Sequence, residues 1–394
     1  MSMRPCWVEI NTRSFEDNYR CLKHLAAGDA ELVAVVKSDA YGHSMELCAA
    51  AALRAGASWL GVTSVEEGQA ARIVCPGAEI LVMSGCYPGQ GTAVVANGLT
   101  PVAWERWQLD ELEGAACASG VNSVPVHLEI DTGMSRQGVD LDGLAAILAR
   151  FQAGGPLLLD GVLTHLYAAD ETDRLATKAQ MERLEEALGQ IAASGLEAKW
   201  LSVGASAALV NGEVGPIADL ARRFGLKAML RPGLALYGVA PQFAPDEPAG
   251  VVRARQQLKP VLTWKTHVVS VRQIPPGRVV GYNGTFVATE PMRLALLAVG
   301  YADGLDRRLG NRFSLLVRGQ RAPLVGRISM DQAVVDVTEI DGVRPHDDVV
   351  ILGSQAAETI SACDHAEAAG TIPWEVFTRI GARVPRVENC QAIS

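Results

Sequence analysis

The fold class this sequence predicts is α/β: a (β/α)8 TIM-like barrel followed by a mainly antiparallel β domain. Eight short apolar runs alternate with amphipathic segments from residue 31 to about 240, the pattern of repeated βα units. Past residue 255 the texture turns to β-branched alternation broken by Gly and Pro, which reads as antiparallel β structure. At 394 residues the chain is also too long for one ordinary core, so a large domain plus a smaller one is expected.

The eight runs are ELVAVVK, SWLGVTS, AEILVMS, LTPVAW, VPVHLEID, LDGVLTH, AKWLSVG and MLRPGLALYG. Between them, SMELCAAAALRAG, ERWQLDELEGAACASG and ATKAQMERLEEALGQIAASG carry helical spacing and end in the Gly expected just past a helix. Eight such units in roughly 210 residues sit near the lower end of the barrel range. An open doubly wound sheet is the competitor, but GQGTAV lacks the third glycine of a dinucleotide fingerprint and its acidic partner. The stretch RARQQLKP marks the boundary, giving a barrel domain over residues 1–254 and a β domain over 255–394. In the latter, VLTWKTHVVSVRQIPPGRVVGYNGTF alternates and turns at Pro-Pro-Gly, and RAPLVGRISMDQAVVDVTEI alternates again.

Composition narrows the function classes. A net charge of −9 without a Lys/Arg cluster argues against nucleic acid. The N-terminal MSMRPCWVEI has no signal-peptide pattern, and no eighteen apolar residues run together, so the expectation is a cytoplasmic chain with no membrane partner. Eight cysteines without a C-x-x-C pair suggest neither a metal site nor disulfides, only reduced thiols.

Barrels of this kind place their chemistry at the carboxyl ends of the strands. Lys37 closes the first run, Asp131 and Arg136 follow the fifth, His165 closes the sixth, Ser206 follows the seventh and Arg231 lies in the eighth. Singly, each has an ordinary reading: a surface lysine, a hydrogen-bonded histidine, a surface arginine, a helix-capping serine. Their convergence on one mouth is what points to a site. A lysine, two arginines and backbone amides beside Gly233 match what pyridoxal 5′-phosphate (PLP) needs: an amine to hold it, a charged group at its ring nitrogen and a phosphate cradle.

The motifs AVVKSDAYGHS, DTGMSRQGV, THLYAADE, RPGLALYG, VGYNGTF, VGYADG, GRISMDQ and PWEVFTRIGARVPR occur in this order. Together they resemble the PLP-dependent alanine racemases of the barrel-plus-β-domain type, and the resemblance spans nearly the whole chain. It implies that Lys37 holds PLP covalently and then acts as the base on one face of the substrate Cα. Tyr282 would act on the opposite face, contributed by the partner subunit of a homodimer. It further implies Arg231 at the ring nitrogen, with His165 positioning both Arg231 and Tyr282. Arg136 and the Met330 backbone amide would take the substrate carboxylate. Tyr41, Ser206, Gly233, Leu234 and Trp374 would surround the phosphate, and Tyr301 and Asp331 would shape the entrance. His43 is left as an ordinary helix-start residue.

Racemisation removes a proton from one face and returns it to the other, so two bases must flank one carbon. An arginine cannot pass its proton to the ring nitrogen, which keeps the carbanion localised at Cα. Four positions depart from the family pattern. Glu129 stands where many members carry a carbamylated lysine, and its carboxylate is expected inside the barrel, within reach of Arg136. Trp374 replaces a tyrosine, Ser329 a cysteine, and Gly281 a serine before Tyr282. The reading is an alanine racemase. The alternatives are a racemase of broader specificity for small amino acids such as serine, a barrel-type PLP decarboxylase and a non-catalytic PLP carrier.

Overall fold

The computed structural model describes residues 4–241 and 249–389. Cys390 lies outside them, and the seven described cysteines form no disulfide. The described chain forms two compact units: Ser14–Ala40 with Met45–Lys259, and the described residues of Met1–Arg13, Tyr41–Ser44 and Pro260–Ser394. The first strand, β1 (Cys6–Ile10), belongs to the second of these and not to the barrel.

The first unit is a closed barrel of eight parallel strands: β2 (Ala30–Val35), β3 (Trp59–Val62), β4 (Glu79–Val82), β5 (Thr100–Ala103), β6 (Val124–Glu129), β7 (Leu157–Thr164), β8 (Trp200–Val203) and β9 (Lys227–Leu230). Each falls within or against one of the eight apolar runs. Closure is made by β9 pairing back onto β2, with Ala30 opposite Ala228. The strands are buried on both faces, so they read as continuous apolar stretches rather than as alternation. Val33, Trp59, Leu81, Val102, Leu163, Trp200 and Met229 pack together as a buried cluster contributed by seven strands. The run MLRPGLALYG is only partly strand. The strand ends at Leu230, Pro232 has no N–H for a ladder, and Leu234–Tyr237 form a 3-10 turn closed by Gly238 at φ +85°.

Helices between the strands end as the glycines predicted: Arg106–Ser119 stops at Gly120 in the left-handed region, φ +67°. Among the described residues no helix is long and apolar enough to cross a membrane.

The second unit is built on one long strand, β10 (Leu262–Ile274), which pairs antiparallel with β1, with Met292–Leu297 and with Asp348–Gln355. Among its described residues, one parallel neighbour pair joins β1 to Arg386–Glu388. The Pro-Pro-Gly turn leads from β10 into the two-stranded hairpin Val279–Val280 and Phe286–Val287.

A histidine in this unit makes stability pH-dependent. His365 is 3% exposed, packs edge-on against Phe313 at 4.8 Å and lies 3.0 Å from the Ile351 carbonyl through Nε2. Burial pulls its pKa down to about 4, so the folded protein refuses a proton that the unfolded chain accepts at its ordinary value of about 6.5. Stability from this group is present above pH 6.5 and lost as pH falls from there toward 4. At pH 5 the loss is about 2 kcal/mol. We expect the thermal midpoint to drop between pH 7 and pH 5, and His365→Asn to flatten that slope. An unchanged slope in the variant would show that other groups govern acid sensitivity.

Candidate active site

The lysine of AVVKSDAYGHS stands just past β2. The Val36 N–H donates to Gly61 O at 2.8 Å and the Val35 N–H to Pro232 O at 3.2 Å, so the strand end is anchored on both sides. From Lys37 to Gly42 the chain makes a helical turn of the left hand, with Ser38, Asp39, Ala40 and Tyr41 at φ 52–55° and Gly42 at 78°. L-residues pay roughly 1–2 kcal/mol each for this conformation, so it persists only if tied down. The ties are Ser38 N–H to Glu67 Oε1 at 2.6 Å, Met45 N–H to Asp39 Oδ1 at 2.7 Å and Ala40 N–H to Val36 O at 2.8 Å. Among the described residues no hydrogen bond or ion pair engages the half-buried Lys37 amine. Burial lowers its pKa, the charges of Arg136 and Arg231 add to the shift, and Glu67 opposes it.

Arg231 sits one residue past β9 and is 4% exposed. Its guanidinium donates to Ser202 Oγ at 2.7 Å and to Thr164 O at 2.8 Å, and reaches His165 Nδ1 at 3.3 Å. Burial brings its pKa down to about 10, so it stays charged at neutral pH. His165 goes the other way: burial and the charges of Arg231, Arg136 and Lys37 push it down to about 3. The imidazole is therefore neutral, with Nδ1 free to accept from Arg231.

Ser206 does not cap the helix it begins. That cap position is Ala205, which makes no side-chain cap bond. Instead Ser206 Oγ accepts from the backbone N–H of Gly233 at 3.0 Å and of Ala235 at 3.2 Å, joining the loops after β8 and β9. Leu234, between them, is buried.

Glu129 closes β6 and is 3% exposed, as its alternation with the buried His127 requires. It makes no ion pair with Arg136 among the described residues. Its Oε2 accepts from Gln137 Nε2 at 2.5 Å, and the same nitrogen donates to Met83 O at 3.0 Å. The reason is local: Arg136 follows Ser135 at φ +55° and is exposed, while Gln137 next to it turns inward. Burial raises the Glu129 pKa, against opposing pulls from Gln137 and the two arginines.

The remaining predicted residues lie in the second unit. Tyr282 is 66% exposed at the start of a short turn, after Gly281 at φ +74°, where an added Cβ would stand 3.1 Å from Arg327 N. Tyr301, Met330 and Asp331 come together: the Tyr301 N–H donates to Ser329 O and the Ala302 N–H to Met330 O, each at 3.0 Å. Arg383 bonds Asp331 at 2.8 Å and also the fully buried Asp303 at 2.8 Å, which in turn accepts from Gly300 N–H. Trp374 lies exposed on the helix Pro373–Thr378. Tyr41 is buried, which raises its phenol pKa. His43 is no ordinary helix-start residue: it is fully buried, 4.7 Å edge-on to Phe377, with Nδ1 3.0 Å from Tyr41 O.

Glu67, Ser202, Thr164 and Gln137 were not singled out by the sequence reading. Glu67 had a local signal, since SVEE is a capping box that the structure contains. The others act through hydrogen bonds to residues of other strands and loops, which no local pattern marks.

Family models match both parts of the chain: the alanine racemase N-terminal domain over residues 10–241 and the alanine racemase C-terminal domain over residues 261–388. The alanine racemase of Symbiobacterium thermophilum is 39% identical, covering 98% of this chain and 97% of the relative. A crystal structure of alanine racemase from Streptomyces lavendulae matches with a TM-score of 0.89 at 32% identity, over 99% of this chain and 98% of that one. The alanine racemase of Bartonella henselae, solved with covalently bound pyridoxal phosphate, matches with a TM-score of 0.80 at 27% identity, over 98% and 99% of the two chains.

Proposed function

The chain belongs to the alanine racemase family, and we propose that its barrel mouth binds PLP through Lys37 and interconverts L- and D-alanine. The observation that carries this is the Lys37 amine itself: half-buried, without an ion-pair partner among the described residues, and lowered in pKa beside two arginines. A lysine whose pKa is lowered in this way is a better nucleophile for an aldehyde and, when released, a more readily available base.

The residues present fit the group. Ser206 and the amides around Gly233 and Leu234 offer the phosphate cradle, and Tyr41 and Trp374 are assigned to it on the motif match. When bound, PLP supplies the electron sink that makes the substrate Cα–H acidic. Lys37 takes that proton on one face and returns it there in the reverse direction. Arg231, held in place by its bonds to Ser202 and Thr164, offers the ring nitrogen a hydrogen bond without surrendering a proton. Neutral His165 accepts from Arg231 and keeps it oriented. Arg136, with the Met330 amide, takes the substrate carboxylate, while Tyr301 and Asp331 shape the entrance.

The second base is Tyr282, delivered by the partner subunit of a homodimer. Its 66% exposure supports this over a ring packed on its own domain.

The test is a chiral assay of the PLP-loaded protein across small amino acids in deuterium oxide. Label entering Cα with interconversion of alanine enantiomers is the expected result, and turnover of serine would widen the specificity. Release of carbon dioxide without racemisation would replace the reading by a decarboxylase, and no exchange at all by a carrier.

A further inference from the structure

Arg136 carries an exposed guanidinium that no hydrogen bond or ion pair holds among the described residues. A carboxylate ligand needs a defined position, because small misplacements at a reacting centre are costly. That position must come from the backbone on which Arg136 rides.

The loop from Asp131 to Val139 is unusually constrained. Its ends are stitched to β6 by Val139 N–H to Glu129 O and Asp131 N–H to Val139 O, both 2.9 Å. Asp131 Oδ1 accepts the N–H groups of Gly133, Met134 and Ser135 at 2.9, 2.9 and 3.1 Å. Gly138 sits at φ +114°, and a Cβ there would stand 2.5 Å from Asp131 N. Between these two fixed parts lie Arg136 and Gln137. Among the described residues the only side-chain tie here is the Gln137 amide, which spans from Glu129 at the end of β6 to Met83 O, one residue past β4.

We propose that Gln137 is a positioning residue for substrate binding: by clamping its own backbone to Glu129 and Met83, it fixes where the neighbouring Arg136 meets the substrate carboxylate. This rests on Arg136 being the carboxylate ligand, as proposed above. Glu129 supplies a buried acceptor rather than a direct partner for the arginine. Because Gln137 Nε2 carries two hydrogens, one nitrogen satisfies both acceptors, and loss of the amide leaves Glu129 buried without that bond.

The experiment compares Gln137→Leu, Glu129→Gln and Arg136→Lys in the PLP-loaded protein, reading kcat, KM, the visible cofactor absorbance and competitive inhibition by propionate, which is alanine without its amine. Gln137→Leu is expected to raise KM for alanine and the propionate inhibition constant together by about tenfold or more, with kcat within a few-fold and the absorbance unchanged. Glu129→Gln keeps an oxygen for Gln137 to bond, so it is expected to stay within a few-fold of wild type on both. It folds without a new buried gap, so it separates the clamp from general damage. Unchanged KM and propionate binding in Gln137→Leu, with both lost in Arg136→Lys, would overturn the clamp alone. Binding unchanged in Arg136→Lys would overturn the carboxylate assignment and the clamp with it.

Discussion

Lys37→Ala abolishes racemisation, by about 10⁴-fold or more, and removes the visible absorbance of lysine-linked cofactor from the purified protein. Both losses are expected because the proposed mechanism gives the amine two tasks, holding the cofactor and moving a proton, and methyl performs neither. Arginine at the same position keeps a charge but has no nucleophilic nitrogen, so Lys37→Arg is expected to fail equally. The fold should survive either change, since the turn after Lys37 is tied through the backbone of Ser38 and Ala40 and the side chain of Asp39. Circular dichroism matching wild type, with racemisation intact in Lys37→Ala, would show that the chemistry is carried elsewhere.

Tyr282→Phe is the second large effect, expected at about 10²–10⁴-fold, and its signature is asymmetry. Phenylalanine preserves the ring and removes only the hydroxyl that would exchange the proton. Solvent deuterium should therefore enter Cα of one enantiomer far more slowly than of the other, because Lys37 still serves its own face. Equal slowing for both enantiomers would argue that Tyr282 acts on binding and not as a face-specific base. The exposed ring is not a packing element of its hairpin, so the substitution should cost little stability.

The barrel was legible because parallel strands buried on both faces leave unbroken apolar runs, and polar residues that interrupt them stand out. Lys37, His165 and Arg231 announce themselves in that way. What stayed hidden depends on partners far along the chain. CWVEI looked unremarkable because its neighbours are β10 and Arg386–Glu388, not the next segment. RPGLALYG read as strand throughout because apolar content does not distinguish a strand from the buried 3-10 turn at Leu234–Tyr237. Glu129 was expected to reach Arg136, yet the loop turns Gln137 inward at that point. A side chain's direction within a tight loop follows its backbone angles, here set by Ser135 at φ +55° and Gly138 at φ +114°, and a motif does not display them.

The pairing of β1 has a consequence for synthesis. Cys6 lies opposite Thr266 and Val8 opposite Arg386, so β1 has none of these partners until residues about 250 positions later have emerged from the ribosome. The barrel, complete by β9 at Leu230, can close while that strand still waits. Contacts so distant in sequence form slowly, and a waiting strand edge invites association with other chains. Expression at lower temperature, or with chaperones that shield nascent chains, should raise the soluble yield of this protein more than that of a barrel whose first strand pairs locally.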